Sequence, residues 1–497
     1  MIRISELLGA RFTHPGESSA FEGPLGGAKT KINEVEVVGM ISSLADAFGD
    51  ARRIGILSNH QIETYLCVLA TAATGRTFVP LNPKFPVARL NQVAELAGVD
   101  IIAHDFSSVE VLEQITSQAR ILNITEIING ASSRNVESML ETVQNLKVNI
   151  DDTAYIMFTS GSTGVPKGVP VSFGNLHSYV QGITEAIEFP TASRCTQFFD
   201  LSFDLSVHDI FVTNAIRGTL IAPSLIDAMM PSAHLARENI NVWFSVPLLG
   251  ATLVSSQRKE EYRGLDRMLF CGEALPMEVV GECREWLTDN GQIWNLYGPT
   301  EATIAFTACD VTHAQRVTGS ASIGMPFGGN ITALLSDQDE VVTDPMLGDQ
   351  GELLLGGPQV FAGYSTDAPS PFVFKQGVRF YRSGDLVRME DDGIYFRGRA
   401  DSQVKFRGYR IELSEIETAM RRVFGVNTVA VVLAGSQKSA KLVAFHLQNE
   451  LPNPPNASLL GDVLPNYMIP SAIIALEEMP TNQNGKIDRR ALVSMAG

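Results

Sequence analysis

The sequence predicts an α/β fold in which a large N-terminal domain of parallel sheets and crossover helices precedes a small C-terminal α+β domain. The first observation is length, because 497 residues exceed what one hydrophobic core usually holds. The second is alternation: residues 54–57 have a strand pattern, residues 62–74 a helical pattern, and residues 77–80 a strand pattern again. Such alternation is typical of parallel sheets with crossover helices.

The C-terminal domain is predicted from a change of pattern near residue 400, which divides the chain into residues 1–399 and 400–497. Short elements of both kinds follow the boundary: strands at 403–406, 426–433 and 442–447, and a helix at 414–423. Ser414 is the expected N-cap of that helix, because its hydroxyl can accept a hydrogen bond from a free amide of the first turn.

Composition and charge argue for a globular protein that does not bind nucleic acid. Apolar residues make up 45% of the chain and charged residues 19%, as in ordinary soluble proteins. The 38 basic and 55 acidic residues leave a net charge of −17, whereas a nucleic-acid surface needs a basic face. The five cysteines are scattered without a CxxC pair, which indicates reduced thiols. No segment approaches the roughly 18 apolar residues of a membrane span, and no signal peptide is recognisable, so we expect a cytoplasmic protein without membrane insertion.

A segment rich in glycine and hydroxyl groups at residues 158–168 predicts a polyphosphate-binding loop. It reads Phe-Thr-Ser-Gly-Ser-Thr-Gly-Val-Pro-Lys-Gly and lies between strand patterns at 153–158 and 169–173. Glycines let the backbone approach phosphate closely, amides and hydroxyls donate hydrogen bonds, and a lysine adds positive charge. It is not a Walker A loop, because Pro166 precedes Lys167 and no Ser or Thr follows. The residues that we expect to bind phosphate are Thr159, Ser160, Gly161, Ser162, Thr163, Gly164 and Lys167.

Five further segments follow this loop in a fixed order. They are Asn-Leu-Tyr-Gly-Pro-Thr-Glu at 295–301, Gly-Glu-Leu-Leu-Leu-Gly-Gly at 351–357, Tyr-Arg-Ser-Gly-Asp-Leu at 381–386, Gly-Arg-Ala-Asp and its continuation at 398–412, and Asn-Gly-Lys-Ile-Asp-Arg at 484–489. Together the segments span most of the chain and resemble the adenylate-forming (AMP-binding) enzymes, which include acyl-CoA synthetases, firefly-type luciferases and amino-acid adenylation domains. The resemblance implies that the C-terminal domain is a mobile lid, which turns about Asp401 to offer one face for adenylation and another for thioester formation.

Residues of the later segments are suited to bind a nucleotide. An aromatic ring at Tyr297 can stack on adenine, and Asp385 can accept hydrogen bonds from two ribose hydroxyls. The resemblance gives the same two roles, makes Arg399 a ligand of ribose and phosphate, and assigns Glu301 to a magnesium ion. The ATP-binding residues expected beside the phosphate loop are therefore Gly272, Glu273, Asn295, Tyr297, Gly298, Thr300, Asp385 and Arg399.

The expected chemistry is the attack of a carboxylate on phosphorus. Since two anions are brought together, the reaction needs cationic screening and in-line positioning more than a general base. The resemblance assigns this screening to Lys486 and Arg399, with Mg2+ on Glu301, so these three residues are the candidate catalytic residues. It also places Gly408 and Tyr409 along the tunnel that admits a pantetheine thiol in the second half-reaction.

The acid that is activated is indicated by residues 201–211, Leu-Ser-Phe-Asp-Leu-Ser-Val-His-Asp-Ile-Phe. Asp204 lies in an apolar setting, where an unpaired carboxylate is costly unless a cation pairs with it. In amino-acid adenylation domains the matching aspartate binds the α-amino group of the substrate; a carboxylate that caps the following helix is the structural alternative. The resemblance lines the side-chain pocket with Leu205, His208, Ser245, Leu269, Cys271, Leu296, Ile304 and Ala305, which implies a small neutral substrate.

Segments 270–273 and 464–470 look most like the stand-alone D-alanine:carrier-protein ligases, so D-alanine is the expected substrate. His208 departs from those enzymes, which carry an apolar residue there, so serine and proline stay open. No carrier domain is recognisable in the sequence, and we expect a separate carrier protein to supply the phosphopantetheine thiol. Two alternatives are a ligase that passes an acyl or aryl acid to coenzyme A, and a non-catalytic nucleotide-binding protein of the same fold.

Overall fold

A computed structural model of the chain describes all residues except 59–60, 132–135, 161–164, 256–261, 402, 436–438, 449, 451–454, 482–486 and 497. The predicted α/β class is confirmed, with parallel sheets joined by helices in the N-terminal part and smaller antiparallel and mixed sheets after residue 400.

The first sheet is built from the N-terminal part of the chain. Its elements and their neighbours are, in chain order, β1 (Ile2–Arg3), α1 (Ile4–Leu8), β2 (Ser19–Leu25), β3 (Ala28–Asn33), α2 (Glu34–Phe48), β4 (Arg53–Leu57), α3 (Ile62–Ala73), β5 (Thr77–Pro80), α4 (Val87–Ala97), β6 (Ile101–His104), α5 (Val109–Leu112), β7 (Arg120–Asn123), α6 (Ile124–Asn129), α7 (Val136–Asn145), β8 (Lys147–Val148), β9 (Thr153–Thr159), β10 (Lys167–Ser172) and α8 (Phe173–Ala186). The sheet has the order β10-β9-β5-β4-β6-β7 and is parallel except for β10. Helix α3 is buried along its whole length.

The second sheet carries most of the candidate site. Its elements are β11 (Arg194–Thr196), α9 (Leu205–Ala215), β12 (Thr219–Ile221), α10 (Leu225–Met229), α11 (Pro231–Glu238), β13 (Val242–Ser245), α12 (Pro247–Ser255), β14 (Leu265–Phe270), α13 (Met277–Cys283), β15 (Leu287–Tyr297), β16 (Thr307–Asp310) and β17 (Met325–Pro326). The strand order is β17-β16-β15-β14-β13-β11-β12-β2-β3, with a parallel centre and antiparallel edges.

A third, antiparallel sheet completes the N-terminal part. It contains β18 (Ile331–Leu335), β19 (Val341–Val342), β20 (Gln350–Gly356), β21 (Phe372–Lys375), β22 (Val378–Glu390) and β23 (Gly393–Arg399), in the order β19-β18-β20-β22-β21 with β23 also paired to β22. The predicted domain boundary therefore falls at the end of β23.

The C-terminal part begins with a hairpin and continues as an α+β unit. Its elements are β24 (Gln403–Phe406), β25 (Tyr409–Glu412), α14 (Leu413–Phe424), β26 (Val429–Ala434), β27 (Lys441–Leu447), β28 (Ala472–Leu476) and α15 (Arg489–Met495). Strands β26, β27 and β28 form one sheet, and α14 packs its apolar face on it through Ile416 and Met420. We refer to residues 403–412, strands β24 and β25 with their turn, as the hairpin.

Two local predictions were wrong at helix starts. Helix α14 begins at Leu413 with Glu412 in the N-cap position, so Ser414 is not the cap. Its hydroxyl is buried without a hydrogen-bond partner among the described residues. The strand predicted at residues 169–173 ends one residue early, at Ser172. Ser172 and Asn175 form a capping box there, so Phe173 is the first residue of α8.

The cysteines are free thiols, as the sequence indicated, and Cys67, Cys195 and Cys271 are buried. None of the helices in the described part of the chain is long and apolar enough to cross a bilayer.

Candidate active site

The candidate site is a cleft between the carboxyl ends of the parallel strands and the hairpin. Ends of parallel strands are where α/β folds usually hold ligands, because side chains of successive loops converge there. The N-terminal part contributes the ends of β9, β14 and β15 and the start of α9, and the hairpin closes the opposite side. Residues of both parts line it, including Ser160, Asp204, Leu205, Cys271, Gly272, Gly298, Thr300, Asp385, Arg399, Lys405, Gly408, Tyr409 and Arg410.

The predicted phosphate loop joins two antiparallel strands at the edge of the first sheet. Thr159 at the end of β9 pairs with Lys167 at the start of β10. The Ser160 hydroxyl donates to the carbonyl of Arg410 at 3.1 Å and accepts from the amide of Glu412 at 3.1 Å. The Lys167 ammonium lies 3.9 Å from the Glu412 carboxylate. The flanks of the loop thus contact the hairpin, while Gly161, Ser162, Thr163 and Gly164 lie outside the described residues.

Tyr297, Asp385 and Arg399 form a connected chain of hydrogen bonds. The Tyr297 hydroxyl donates to Asp385 Oδ2 at 2.6 Å, and Arg399 Nη1 donates to Asp385 Oδ1 at 2.5 Å. Arg399 also donates from Nε to Asp401 at 2.7 Å and from Nη2 at 2.8 Å. This bidentate pair joins the end of β23 to the predicted hinge residue, so one arginine contacts both the predicted ribose ligand Asp385 and the predicted hinge.

Asn295, another predicted nucleotide residue, is buried near the end of β15 and, in the described structure, does not line the cleft. Its Nδ2 donates to the carbonyl of Ser322 at 2.7 Å, and its Oδ1 is buried with no partner in the described part of the chain. A buried acceptor without a donor is costly.

Glu301 is a buried carboxylate held by the hairpin. Arg410 Nη1 lies 2.9 Å from Glu301 Oε2, and the Tyr364 hydroxyl donates to Glu301 Oε1 at 2.9 Å. Burial is the largest influence and would raise the pKa of Glu301, but the Arg410 charge and hydrogen bonds from the backbone, Tyr364 and Tyr381 together outweigh it, so the pKa is lowered. Glu301 is therefore ionised and already pairs with a cation in this arrangement. The sequence patterns did not single out Arg410 or Tyr364.

A second hairpin cation, Lys405, covers the ring of Tyr297. Its ammonium lies 5.1 Å from the ring centroid of Tyr297 and 5.7 Å from that of Phe396. The amide of Gly408 donates to Glu273 Oε1 at 2.8 Å, which joins the hairpin turn to the loop after β14. Gly408 has φ +84°, and a Cβ there would lie 2.7 Å from a Val246 methyl, so the turn requires glycine.

Tyr409 stacks in an aromatic group at the mouth of the cleft. Its ring lies 3.6 Å from that of Tyr467 in a parallel arrangement and 4.5 Å from that of Phe203 edge to face. Its hydroxyl donates to Asp200 at 3.3 Å. The two residues predicted for a pantetheine tunnel, Gly408 and Tyr409, thus both line the cleft.

Asp204 is buried at the floor of the cleft and does not cap the helix that it precedes. It occupies the N-cap position of α9, yet its side chain makes no capping hydrogen bond. It is 8% exposed, and Oδ2 has no hydrogen-bond partner among the residues that the structure describes. Burial raises the pKa of Asp204 to about 7, although hydrogen bonds from the Thr300 side chain and the Ile304 amide oppose the increase.

The backbone beside Asp204 is strained. Thr303 and Ile304 have φ values of 59° and 69°, which β-branched residues rarely adopt. The Thr303 hydroxyl donates to the carbonyl of Gln359 at 2.6 Å, which helps to hold this conformation. Strain of this kind is retained where the surroundings enforce it.

The predicted side-chain pocket is only partly open. Leu205 and Cys271 line the cleft together with Asp204. The other predicted pocket residues are all buried but, within the described structure, lie behind the cleft lining: His208, Ser245, Leu269, Leu296, Ile304 and Ala305. Ser245 accepts a hydrogen bond from Trp243 at 2.7 Å and donates to the Val246 carbonyl at 3.1 Å.

Lys486, the predicted catalytic lysine, falls in residues 482–486, which lie outside the described part of the chain. Its position relative to the cleft therefore stays a prediction.

Comparison with known proteins identifies relatives over most of the chain. A family model described as AMP-binding enzyme matches residues 42–365. The D-alanine--D-alanyl carrier protein ligase of Lacticaseibacillus rhamnosus is 32% identical over 452 residues, covering 86% of this chain and 86% of that protein. The L-proline--[L-prolyl-carrier protein] ligase of Pseudomonas fluorescens is 31% identical over 471 residues, covering 92% and 91%.

Larger proteins and solved structures are similar as well. The chain is 31% identical to the phosphinothricin tripeptide synthetase PhsC of Streptomyces viridochromogenes and spans 40% of its length. The crystal structure of the Vibrio cholerae adenylation domain AlmE in complex with glycyl-adenosine-5'-phosphate has a TM-score of 0.87 and 28% sequence identity, covering 99% of this chain and 97% of that one.

Proposed function

Because the chain belongs to the AMP-binding enzyme family, we propose that it activates a small neutral amino acid with ATP and transfers it to the phosphopantetheine thiol of a separate carrier protein. The observation that supports this most is Asp204, a buried carboxylate with an unpaired oxygen in a cleft lined by the predicted nucleotide residues. An α-ammonium group is the natural partner for such a carboxylate, since it supplies both charge and hydrogen-bond donors.

In the first half-reaction the carboxylate oxygen of the amino acid attacks the α-phosphorus of ATP. A phosphorus–oxygen bond forms to give the aminoacyl adenylate, and the bond to the leaving pyrophosphate breaks. Lys167, Thr159 and Ser160 hold the leaving phosphates, together with Gly161, Ser162, Thr163 and Gly164. Arg399 and Lys486 screen the negative charge of the transition state, and Asp385 orients the ribose.

The residues present fit a magnesium ion bound jointly with ATP. Glu301 is a buried ionised carboxylate that pairs with the Arg410 cation, so a metal ion could replace that cation when the hairpin leaves. Among the described residues, no group of three or more His, Cys, Asp or Glu side chains is arranged to hold a metal. Mg2+ commonly binds through one carboxylate together with substrate phosphates and water, and it would supply charge neutralisation at the phosphates.

In the second half-reaction the carrier thiol attacks the carbonyl carbon of the adenylate, and AMP leaves. The hairpin lies in the cleft in this structure, with Gly408 and Tyr409 along its lining. That position suits thioester formation, because the two residues expected along the pantetheine tunnel then face the cleft. A turn of the C-terminal part about Asp401 would exchange the hairpin for the segment that carries Lys486.

The substrate is expected to be small. The relatives named as D-alanine and L-proline ligases support the expectation of D-alanine and keep proline open. The glycyl-adenylate complex of the similar AlmE structure adds glycine to the candidates. A cytoplasmic location is supported by the ATP requirement and by the buried free thiols, which suit a reducing compartment.

Two alternatives are less well supported. A ligase for acyl or aryl acids would bury Asp204 without a cation to pair with it. A non-catalytic nucleotide-binding protein would not require the hydrogen-bonded set of Tyr297, Asp385 and Arg399 to lie beside the ionised Glu301.

The proposed function is tested by ATP–pyrophosphate exchange with a panel of D- and L-amino acids, glycine, fatty acids and aryl acids. We expect exchange with small amino acids, followed by loading of a phosphopantetheinylated carrier protein. Exchange with fatty or aryl acids alone would favour the coenzyme A ligase, and no exchange with any acid would favour the non-catalytic protein.

The raised pKa of Asp204 predicts a pH dependence of amino-acid binding. Because its pKa is about 7 in the folded protein, the carboxylate is ionised above that pH and protonated below it. The substrate ammonium binds the ionised form, so the apparent affinity for the amino acid should fall roughly tenfold between about pH 8 and pH 6. The measurement is the KM for the amino acid in the exchange assay; the KM in Asp204→Asn should not follow this profile.

A further inference from the structure

The cleft lining includes Asp204 and Leu205 but not His208, which lies one turn further along α9 and contacts a tyrosine from another helix. Tyr179 of α8 places its hydroxyl 2.6 Å from His208 Nδ1. Tyr179 is 0% exposed and His208 is 3% exposed. Neither the ordered sequence motifs nor the pocket residues implied by the resemblance include α8, so Tyr179 is an additional residue at this site.

The hydroxyl of Tyr179 lies near the groups that border the substrate. Burial raises the pKa of Tyr179 well above its usual value, so its hydroxyl stays protonated. His208 follows Asp204 by one turn of α9, and its amide donates to the Asp204 carbonyl at 3.4 Å, so the Tyr179 hydroxyl lies one helical turn from Asp204. Burial also lowers the pKa of His208 to about 3, so the imidazole is neutral. The pair is therefore polar and uncharged, and in the described structure it lies behind the residues that line the cleft.

Close packing around Tyr179 and His208 prevents the two side chains from moving away from the pocket. The ring of Phe244 lies 4.4 Å from that of His208, and the ring of Phe327 lies 6.1 Å from that of Tyr179. Along α8, a Cβ on Gly182 would lie 2.8 Å from the Cα of Gly328, so the helix already contacts the next loop closely. Interiors packed at this density do not open for an extra methyl group without cost.

We propose that Tyr179, hydrogen-bonded to His208, determines the depth of the side-chain pocket and makes glycine the preferred substrate. The inference rests on the proposed amino-acid activation and deepens it, because it replaces the sequence-based expectation of D-alanine by a smaller amino acid. The side chain of alanine or serine would have to extend past Leu205 and Cys271 toward the space that His208 and Tyr179 fill. Leu205 and Cys271 remain the walls that the substrate touches.

The test compares kcat/KM in the exchange assay for glycine, both alanines and L-serine. In the unaltered protein we expect glycine to exceed either alanine by about 10- to 200-fold, the range that one methylene can produce in a pocket. Tyr179→Ala should reduce that ratio at least tenfold, mainly through a lower KM for alanine. Tyr179→Phe keeps the ring and should retain most of the preference.

Tyr262→Ala is the matched control, since it removes a partly buried tyrosine whose hydroxyl bonds the Ile240 carbonyl away from the cleft. It should keep the glycine preference. If Tyr179→Ala does not fold, Tyr179→Leu is measured instead, and non-hydrolysable glycyl and alanyl adenylate analogues are compared by calorimetry. A preference of the unaltered protein for alanine or serine, or an unchanged ratio in a folded Tyr179 variant, would overturn the inference while leaving amino-acid activation intact. Absence of exchange with every amino acid would instead overturn the proposed function itself.

Discussion

Replacing Lys486 by alanine is expected to depress ATP–pyrophosphate exchange by several orders of magnitude while leaving transfer from a preformed aminoacyl adenylate nearly intact. The physical reason is that adenylation joins two anions, so its transition state depends on a cation that bridges the carboxylate and the α-phosphate. In thioester formation a thiol attacks the adenylate and the bond to AMP breaks. This step uses the hairpin side of the C-terminal part, and Lys486 has no assigned role in it.

The two half-reactions are measured separately, by exchange and by single-turnover loading of the carrier from isolated adenylate. Lys441→Ala is the matched control, because Lys441 lies on strand β27 of the same C-terminal part. It should leave both half-reactions unchanged. An equal loss of both half-reactions in folded Lys486→Ala would show that the assigned role of Lys486 is wrong.

The second large effect is expected at Asp204. Asp204→Asn keeps the shape of the side chain and removes the charge that pairs with the substrate ammonium. Loss of one charge-assisted contact should cost about 1.5–3 kcal/mol, or roughly 10- to 150-fold in apparent affinity for the amino acid. The affinity for ATP should hardly change, because the nucleotide residues Tyr297, Asp385 and Arg399 bond one another and not Asp204.

The measurement is the KM for the amino acid together with calorimetric binding of ATP. Asp209→Asn is the matched control, since Asp209 is a second buried carboxylate on the same helix and, in the described structure, does not line the cleft. Its replacement should leave amino-acid affinity unchanged in the folded protein. Unaltered amino-acid affinity in Asp204→Asn would place the ammonium site elsewhere.

The sequence was sufficient to predict the α/β class, because burial periodicity is a local property of each segment. Helix α3 and strands β4 and β5 lie where residues 54–80 indicated them. Failures arose where a side chain selects the start of an element: Ser414 is not a cap, and the capping box at Ser172 begins a helix where a strand was expected. Such starts depend on competing local hydrogen bonds that periodicity does not contain.

The sequence by itself determined the prediction of which residues supply the chemistry: a phosphate loop, Glu301, Asp385 and an aspartate at 204 in apolar surroundings. Only the tertiary structure decided what those groups contact. Arg410 reaches Glu301 across 109 residues of sequence, and Tyr179 reaches His208 from a different helix. The physical reason is that a sequence motif shows only the chemistry of its own residues. A contact between side chains from distant segments exists only after packing has brought two elements together and excluded water from the space between them.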